Sequence, residues 1–203
     1  MTRQTADDVA DAVEAFRAGR PVLVHDFADR EGETDLVYPA GVVTPDDVAR
    51  MRNDAGGLVC VALSHDVAEA FDLPFLAEAV DHPTGVDHDL AYDERSSFSL
   101  TVNHRDTYTG ITDQDRALTV SELASAADGT DRLGAEDFAE TFRSPGHVHL
   151  LRAAPNLLDE RKGASTPAAT TSPTSRGPTS SSVSGSPLPR ASVETSVIGN
   201  REH

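Results

Sequence analysis

Leu58-Val-Cys-Val-Ala-Leu63 is six apolar residues without a break, set between Gly56-Gly57 and Ser64. So short a run, flanked by a glycine pair and a hydroxyl residue, predicts a central strand buried on both faces. On its amino side, Thr44-Pro45-Asp46-Asp47 reads as a helix start: a cap, a proline in the first turn and two acids at the positive end of the dipole. The glycine pair stops that helix. On its carboxyl side, Ser64 caps a short helix over residues 66–71.

Further out, the same alternation continues. Thr5 caps a helix that brings Val9, Val13 and Phe16 onto one face, with Gly19 as its stop. Pro21-Val-Leu-Val24 predicts a buried strand, and Asp35-Leu-Val-Tyr-Pro39 a second one lying near it. Residues 78–95 carry many Asp and His with little periodicity and read as a loop. Ser97-Phe-Ser-Leu-Thr-Val-Asn103 alternates with period two and predicts a strand. Residues 120–127 and 135–142 predict short helices, and His147-Val-His-Leu-Leu-Arg152 a last strand. The fold class is α+β, close to α/β: a mixed sheet flanked by helices in a single domain.

The chain has 203 residues, 34 acidic and 17 basic, for a net charge of −17. Such a surface repels nucleic-acid backbones and anionic lipid, so neither is an expected partner. Lys162 is the only lysine, and this acid-rich, lysine-poor balance is halophile-like. One cysteine, Cys60, excludes an intrachain disulfide and a cysteine-based zinc cluster. No apolar run approaches the ~20 residues of a membrane span, and the first residues hold no apolar signal segment, so a cytoplasmic protein is expected. The composition breaks near Gly163. Residues 1–163 carry 32 acids and 14 bases, whereas 21 of residues 164–203 are Ser, Thr or Pro. The second segment offers little apolar surface to offset chain entropy and is expected to form a disordered tail outside the fold.

Several constellations are able to carry chemistry. Asp26, Asp29, Arg30, Glu31, Glu33 and Asp35 put five carboxylates within ten residues around one arginine, a set suited to a hard divalent cation or to a polyol's hydroxyls. Acidic loops are common in this chain, so a plain solvated loop is the competing reading. His147 and His149, in Pro145-Gly-His-Val-His149, fall on one side of a strand, where an imidazole serves as general acid or base; an ordinary surface or half-buried histidine is the alternative, and a metal pair lacks an obvious third ligand nearby. Thr107-Tyr-Thr-Gly-Ile-Thr112 with Asp113, Asp115 and Arg116 offers hydroxyls and a guanidinium to a phosphate, or is simply a turn. Cys60 by default is a buried structural thiol.

The order of these elements is more specific than any one of them. Gly19-Arg-Pro-Val-Leu-Val-His-Asp26, Asp29-Arg-Glu-Gly-Glu-Thr-Asp35, Ala55-Gly-Gly-Leu-Val-Cys60, Thr109-Gly-Ile-Thr-Asp-Gln-Asp-Arg116 and Arg143-Ser-Pro-Gly-His-Val-His-Leu-Leu-Arg152 resemble, in series, the 3,4-dihydroxy-2-butanone-4-phosphate synthase family, archaeal type. The resemblance covers roughly residues 8–163. It implies a lyase of riboflavin biosynthesis that converts ribulose 5-phosphate to the four-carbon phosphate and formate with Mg²⁺ or Mn²⁺. It implies Glu31 as metal ligand, and Arg30, Glu31, Asp35, Asp26, Thr109, Thr112 and Arg161 as substrate contacts. His147 corresponds to the family's essential histidine, with Glu33 and Cys60 beside it among the catalytic candidates. A homodimer and a sugar-phosphate ligand are implied as well.

One departure stands out. After Glu160-Arg-Lys-Gly163 the family continues with His-Thr-Glu, then a helix, a strand and a late glutamate, whereas this chain reads Ala164-Ser-Thr-Pro167. A slipped reading frame at that point accounts for the composition break. The sequence therefore supports two functional expectations: an active synthase, or a catalytically impaired relative that retains weak metal or sugar-phosphate binding. A third class, an acidic binding protein with a docking tail, lacks the ordered motif series.

Overall fold

The computed structural model describes residues 9–25, 34–83, 96–129, 134–153 and, for backbone alone, 196–199. Helix α1 spans Val9–Arg17, strand β1 Val22–His25 and β2 Thr34–Pro39; a single 3₁₀ turn, Ala40–Val42, leads to α2, Pro45–Asp54. Then come β3 (Val59–Leu63), α3 (His65–Ala70), α4 (Leu76–Ala79), β4 (Phe98–His104), α5 (Asp113–Asp128), α6 (Ala135–Thr141), β5 (Phe142–Arg152) and β6 (Ser196–Gly199). The strands form one mixed sheet in the order β1-β2-β6-β3-β5-β4. Among the described strands only β3 and β5 pair in parallel; every other neighbouring pair is antiparallel.

Helix boundaries follow local chemistry. At α2 the Thr44 hydroxyl accepts the Asp47 amide, and the Asp47 carboxylate accepts the Thr44 amide at 3.0 Å, a complete capping box. Ser64 caps α3 through the Val67 amide. The core lies on one face of the sheet. Tyr38 of β2, Val59, Val61 and Leu63 of β3, Val102 of β4 and Val148 and Leu150 of β5 pack there against Val48 and Met51 of α2, Val67 of α3, Val120 and Leu123 of α5 and Phe138 of α6. Burying each large apolar side chain contributes roughly 1.5–3 kcal/mol. The Arg52 guanidinium adds a two-pronged link from α2 to Asp113 at the start of α5, at 3.2 and 3.0 Å.

Three expectations need correction. The run 21–24 is not buried: β1 is the sheet's edge, and Leu23 is 70 % exposed. Helix α1 forms as expected, with none of its residues buried, and its expected cap, Thr5, lies outside the described residues. Helix α5 starts at Asp113 instead of residue 120, because the Thr112 hydroxyl caps it. Finally, Ser196–Gly199 belong to the segment expected to lie outside the fold, yet they form a strand between β2 and β3. Two open strand edges satisfy their backbone groups there, and a short run of Ser, Val and Ile is compatible with strand geometry.

Candidate functional site

The sheet face opposite the core carries the polar candidates Asp35, His147 and His149 together with the buried Val37 and Cys60. Alternation settles which residues share it: Leu36 and Tyr38, Val59 and Val61, Val148 and Leu150 face the core, so Asp35, Val37, Cys60, His147 and His149 face the other way. Pairing then lines up one row across the sheet, Val22–Val37–Ile198–Cys60–His149–Thr101. Two residues further toward the amino ends of β2 and β5 stand Asp35 and His147. They lie on the same face, three strand spacings or on the order of 14 Å apart at the backbone. The acidic segment departs from His25 and returns at Thr34, a pair joined by a 2.8 Å contact between the His25 Nδ1 and the Thr34 hydroxyl. Its two anchors therefore sit at the end of the sheet that holds His147.

His147 is held from β4. Its main-chain N–H donates to the Asn103 Oδ1 at 2.8 Å, and its Nδ1 lies 3.2 Å from the Asn103 Nδ2. Asn103 is 4 % exposed. The preceding residues leave regular pairing: Ser144–Pro145 is a cis peptide, and the register shifts between Val102 and Asn103. The Gly146 N–H donates to the Thr101 hydroxyl at 3.1 Å, and Arg143 reaches the Thr107 carbonyl at 3.2 Å.

The loop before α5 is built around one carboxylate. The Asp115 Oδ2 accepts the N–H of Gly110 at 2.8 Å, and the N–H and hydroxyl of Thr109, both at 3.2 Å. Burial works to raise the Asp115 carboxyl, but the bonds from Gly110 and Thr109 outweigh it and hold it below the usual 3.8. The Thr112 hydroxyl accepts the Asp115 amide. The hydroxyls of Thr109 and Thr112 thus have structural partners. Gly110 adopts φ +80°, and its Cα abuts the Asn103 amide, which ties this loop to the His147 support.

Cys60 is buried, and desolvation, then the Asp35 carboxylate, push its thiol up to about 11. At neutral pH it is a protonated thiol, which does not suit a nucleophile. His149 stands beside Cys60 in the pairing and meets the Phe98 ring edge-on at 5.8 Å between centroids. Burial, then the Arg116 charge, lower its pKa from 6.5. The unfolded chain therefore takes up a proton on His149 more readily than the folded one does. Stability contributed by this group is present above pH 6.5 and is lost as pH falls below it. We expect the melting temperature to drop as pH is lowered through that window, and His149→Gln to flatten the drop. A mutant that keeps the full wild-type slope would remove the assignment. Asp113, lowered by the Arg52 hydrogen bond, and Asp115 act in a separate, more acidic window, below 3.8.

Of the residues singled out from sequence, Asp35, Cys60 and His147 share one sheet face, while Thr109 and Thr112 belong to the loop whose Gly110 abuts Asn103. Asp26, Arg30, Glu31, Glu33 and Arg161 lie outside the described residues. No cluster of three metal-ligating side chains occurs among the described residues. The donors suited to a hard cation are the carboxylates of residues 26–35, of which Asp35 is described. Asn103, Thr101 and Arg143 are site residues that the sequence reading passed over. The one available signal was that Thr101 and Asn103 are the polar phase of an alternating strand.

The family model for 3,4-dihydroxy-2-butanone 4-phosphate synthase matches residues 10–171. A synthase of that name from Archaeoglobus fulgidus is 49 % identical over 165 residues, covering 77 % of this chain and 69 % of its own. One from Methanosarcina mazei is 47 % identical over 167 residues, covering 77 % and 68 %. A solved 3,4-dihydroxy-2-butanone 4-phosphate synthase in complex with two magnesium ions superposes with a TM-score of 0.65 at 26 % identity, over 96 % of this chain and 75 % of that one.

Proposed function

The chain belongs to the 3,4-dihydroxy-2-butanone 4-phosphate synthase family, and on that premise we propose that it converts ribulose 5-phosphate to 3,4-dihydroxy-2-butanone 4-phosphate and formate. The observation that carries this reading is that His147 and Asp35 share one sheet face, at the end of the sheet where the acidic segment leaves from His25 and returns at Thr34. The reaction needs a proton removed beside a carbonyl, a negative charge stabilised on neighbouring oxygens, and a carbon skeleton rearranged before C4 leaves as formate. His147, fixed at Nδ1 by Asn103, presents Nε2 for proton transfer with the sugar. Asp35 and the acids of residues 26–33, with Arg30, orient the hydroxyls. Thr109, Thr112 and Arg161 are assigned to the substrate.

A divalent metal is supported by the magnesium-bound relative and by the hard oxygen donors of residues 26–35. Glu31 is the proposed ligand, for Mg²⁺ or Mn²⁺. When bound, such an ion supplies positive charge against the negative charge that develops on the substrate's oxygens. A cytoplasmic homodimer with no nucleic-acid or membrane partner completes the proposal. Among the described residues no helix is long and apolar enough to cross a membrane.

A second reading has its own observation. Ala164-Ser-Thr-Pro167 stands where the resemblance implies His-Thr-Glu, so a chain that binds the sugar phosphate without turnover is the rival. Formate release from ribulose 5-phosphate, with Mg²⁺ and with EDTA, separates the two. EDTA-sensitive release is the expected result; no release from the purified chain would establish the rival. Glu31→Gln should weaken Mg²⁺ binding by about tenfold or more. Unchanged affinity by calorimetry would take Glu31 out of the ligand set.

A further inference from the structure

From the contacts of Asn103 we infer that this side chain locks neutral His147 in the tautomer with its proton on Nε2, so that the histidine enters the reaction as a donor. The inference deepens the reading above and rests on it for its catalytic meaning, though not for its structural content.

Three contacts carry the argument. The His147 main-chain N–H, a donor whose position the backbone sets, points to one end of the Asn103 amide at 2.8 Å. That end must be the carbonyl oxygen, because an NH₂ there would set donor against donor. The amide's orientation is thereby decided, and its NH₂ is the other end. The NH₂ nitrogen lies 3.2 Å from the His147 Nδ1, nearer than the oxygen at 3.4 Å. An amide NH₂ only donates, so a bond to this nearer end makes Nδ1 the acceptor, without a proton; an Nδ1–H given to the Oδ1 at 3.4 Å is the rival arrangement, and the test below separates the two. The ring's one proton in the neutral form is then on Nε2, the nitrogen on the far side from Asn103.

The clamp on Asn103 is itself tight. A Cβ placed on Gly110 would meet the Asn103 Nδ2 at 2.0 Å and its Cγ at 2.3 Å, so the amide sits against bare backbone. Burial at 4 % exposure leaves little water to compete for its hydrogen bonds. Asn103 is a positioning residue: it acts on the substrate only through the imidazole. An Nε2–H is able to give its proton to, or hydrogen-bond, an oxygen of the sugar. Taking a proton first would require the opposite tautomer, with Nδ1–H turned to the more distant Oδ1 and the NH₂ left without an acceptor on this ring.

The test is a long-range ¹H–¹⁵N spectrum of the full chain labelled at histidine, recorded on the alkaline side of the ordinary histidine range. The His147 signals are assigned by their loss in His147→Gln. The expected pattern has Nδ1 as the bare nitrogen and Nε2 as the protonated one; a protonated Nδ1 would overturn the inference. Asn103→Asp, which replaces the donor by an acceptor of the same shape, should switch the proton to Nδ1. It should also slow formate release on the order of 10²–10⁴-fold, the scale of losing general-acid work or holding a catalytic histidine in the wrong tautomer. A folded Asn103→Asp chain that keeps the wild-type tautomer and rate also overturns it. If Asn103→Asp does not fold, the wild-type spectrum alone decides. Failure of the functional reading looks different: the tautomer stands as expected while wild-type chain releases no formate.

Discussion

His147→Gln should lower the rate of formate release by about 10²–10⁴-fold while leaving the fold intact. Glutamine keeps much of the volume and a polar end but cannot exchange a proton at working pH. The main-chain N–H that binds Asn103 is unchanged by the substitution, so the strand pairing at this point survives. His147 is also off the core face, and its neighbours Val148 and Leu150 bury their own side chains without it. The loss should therefore fall on turnover, with far-ultraviolet circular dichroism and melting temperature close to wild type. Turnover within a few-fold of wild type would place the proton transfer elsewhere, and with it the whole assignment of this sheet face.

Gly146→Ala should have the largest effect on stability. A Cβ at this position would lie 2.0 Å from the carbonyl carbon of Val102, 2.3 Å from its oxygen and 2.4 Å from the Asn103 nitrogen. All three are backbone atoms of β4, so no side chain is able to swing aside. Relief requires β4 and β5 to separate where Asn103 and Thr101 grip the 146–147 segment. Forcing atoms into a closed contact costs roughly 1–3 kcal/mol in a yielding core, and a backbone contact belongs at the upper end. For a protein of this size, about 3 kcal/mol corresponds to a fall of roughly 6–12 °C in melting temperature. A thermal melt within about a degree of wild type would show that the two strands are not in contact here. Because the same shift moves Asn103 away from His147, formate release should fall together with stability.

Much of the fold was legible because local chemistry and tertiary need agree. Leu58–Leu63 had one plausible use, and Thr44 and Ser64 mark helix starts with caps that the structure makes. Helix α5 shows where that agreement ends. From Val120 its buried apolar residues, Val120, Leu123, Ala124 and Ala127, recur at helical spacing, while its first turn is specified by Thr112 and Asp115, whose side chains look like an ordinary turn. Strand β5 starts five residues before the predicted start at His147 because Arg143 and Phe142 pair with β4 ahead of a Pro-Gly irregularity. An apolar tetrapeptide at 21–24 does not say whether its strand is central or at an edge, and here it is at the edge.

The site followed the same division. Asp35, Cys60 and His147 were recognisable as chemistry-bearing residues, and strand alternation was enough to orient them. Asn103 was not recognisable, because its importance comes from a partner 44 positions away in sequence. The roles of Glu31, Glu33, Asp26, Arg30 and Arg161 rest on the motif series, with the anchors at His25 and Thr34 fixing where the acidic segment enters and leaves the sheet.

The place of β6 has a kinetic consequence. Leu36 pairs with Gly199 and Cys60 with Ile198, so the middle of the sheet joins residues from distant parts of the chain. Contacts of such high sequence separation form late and slowly. Until they form, a β1–β2 ribbon and a β3–β5–β4 ribbon each present an open border, ready to accept a strand from another molecule. The danger of misassembly is therefore greatest during refolding at high protein concentration, before a segment of four residues has shut the gap.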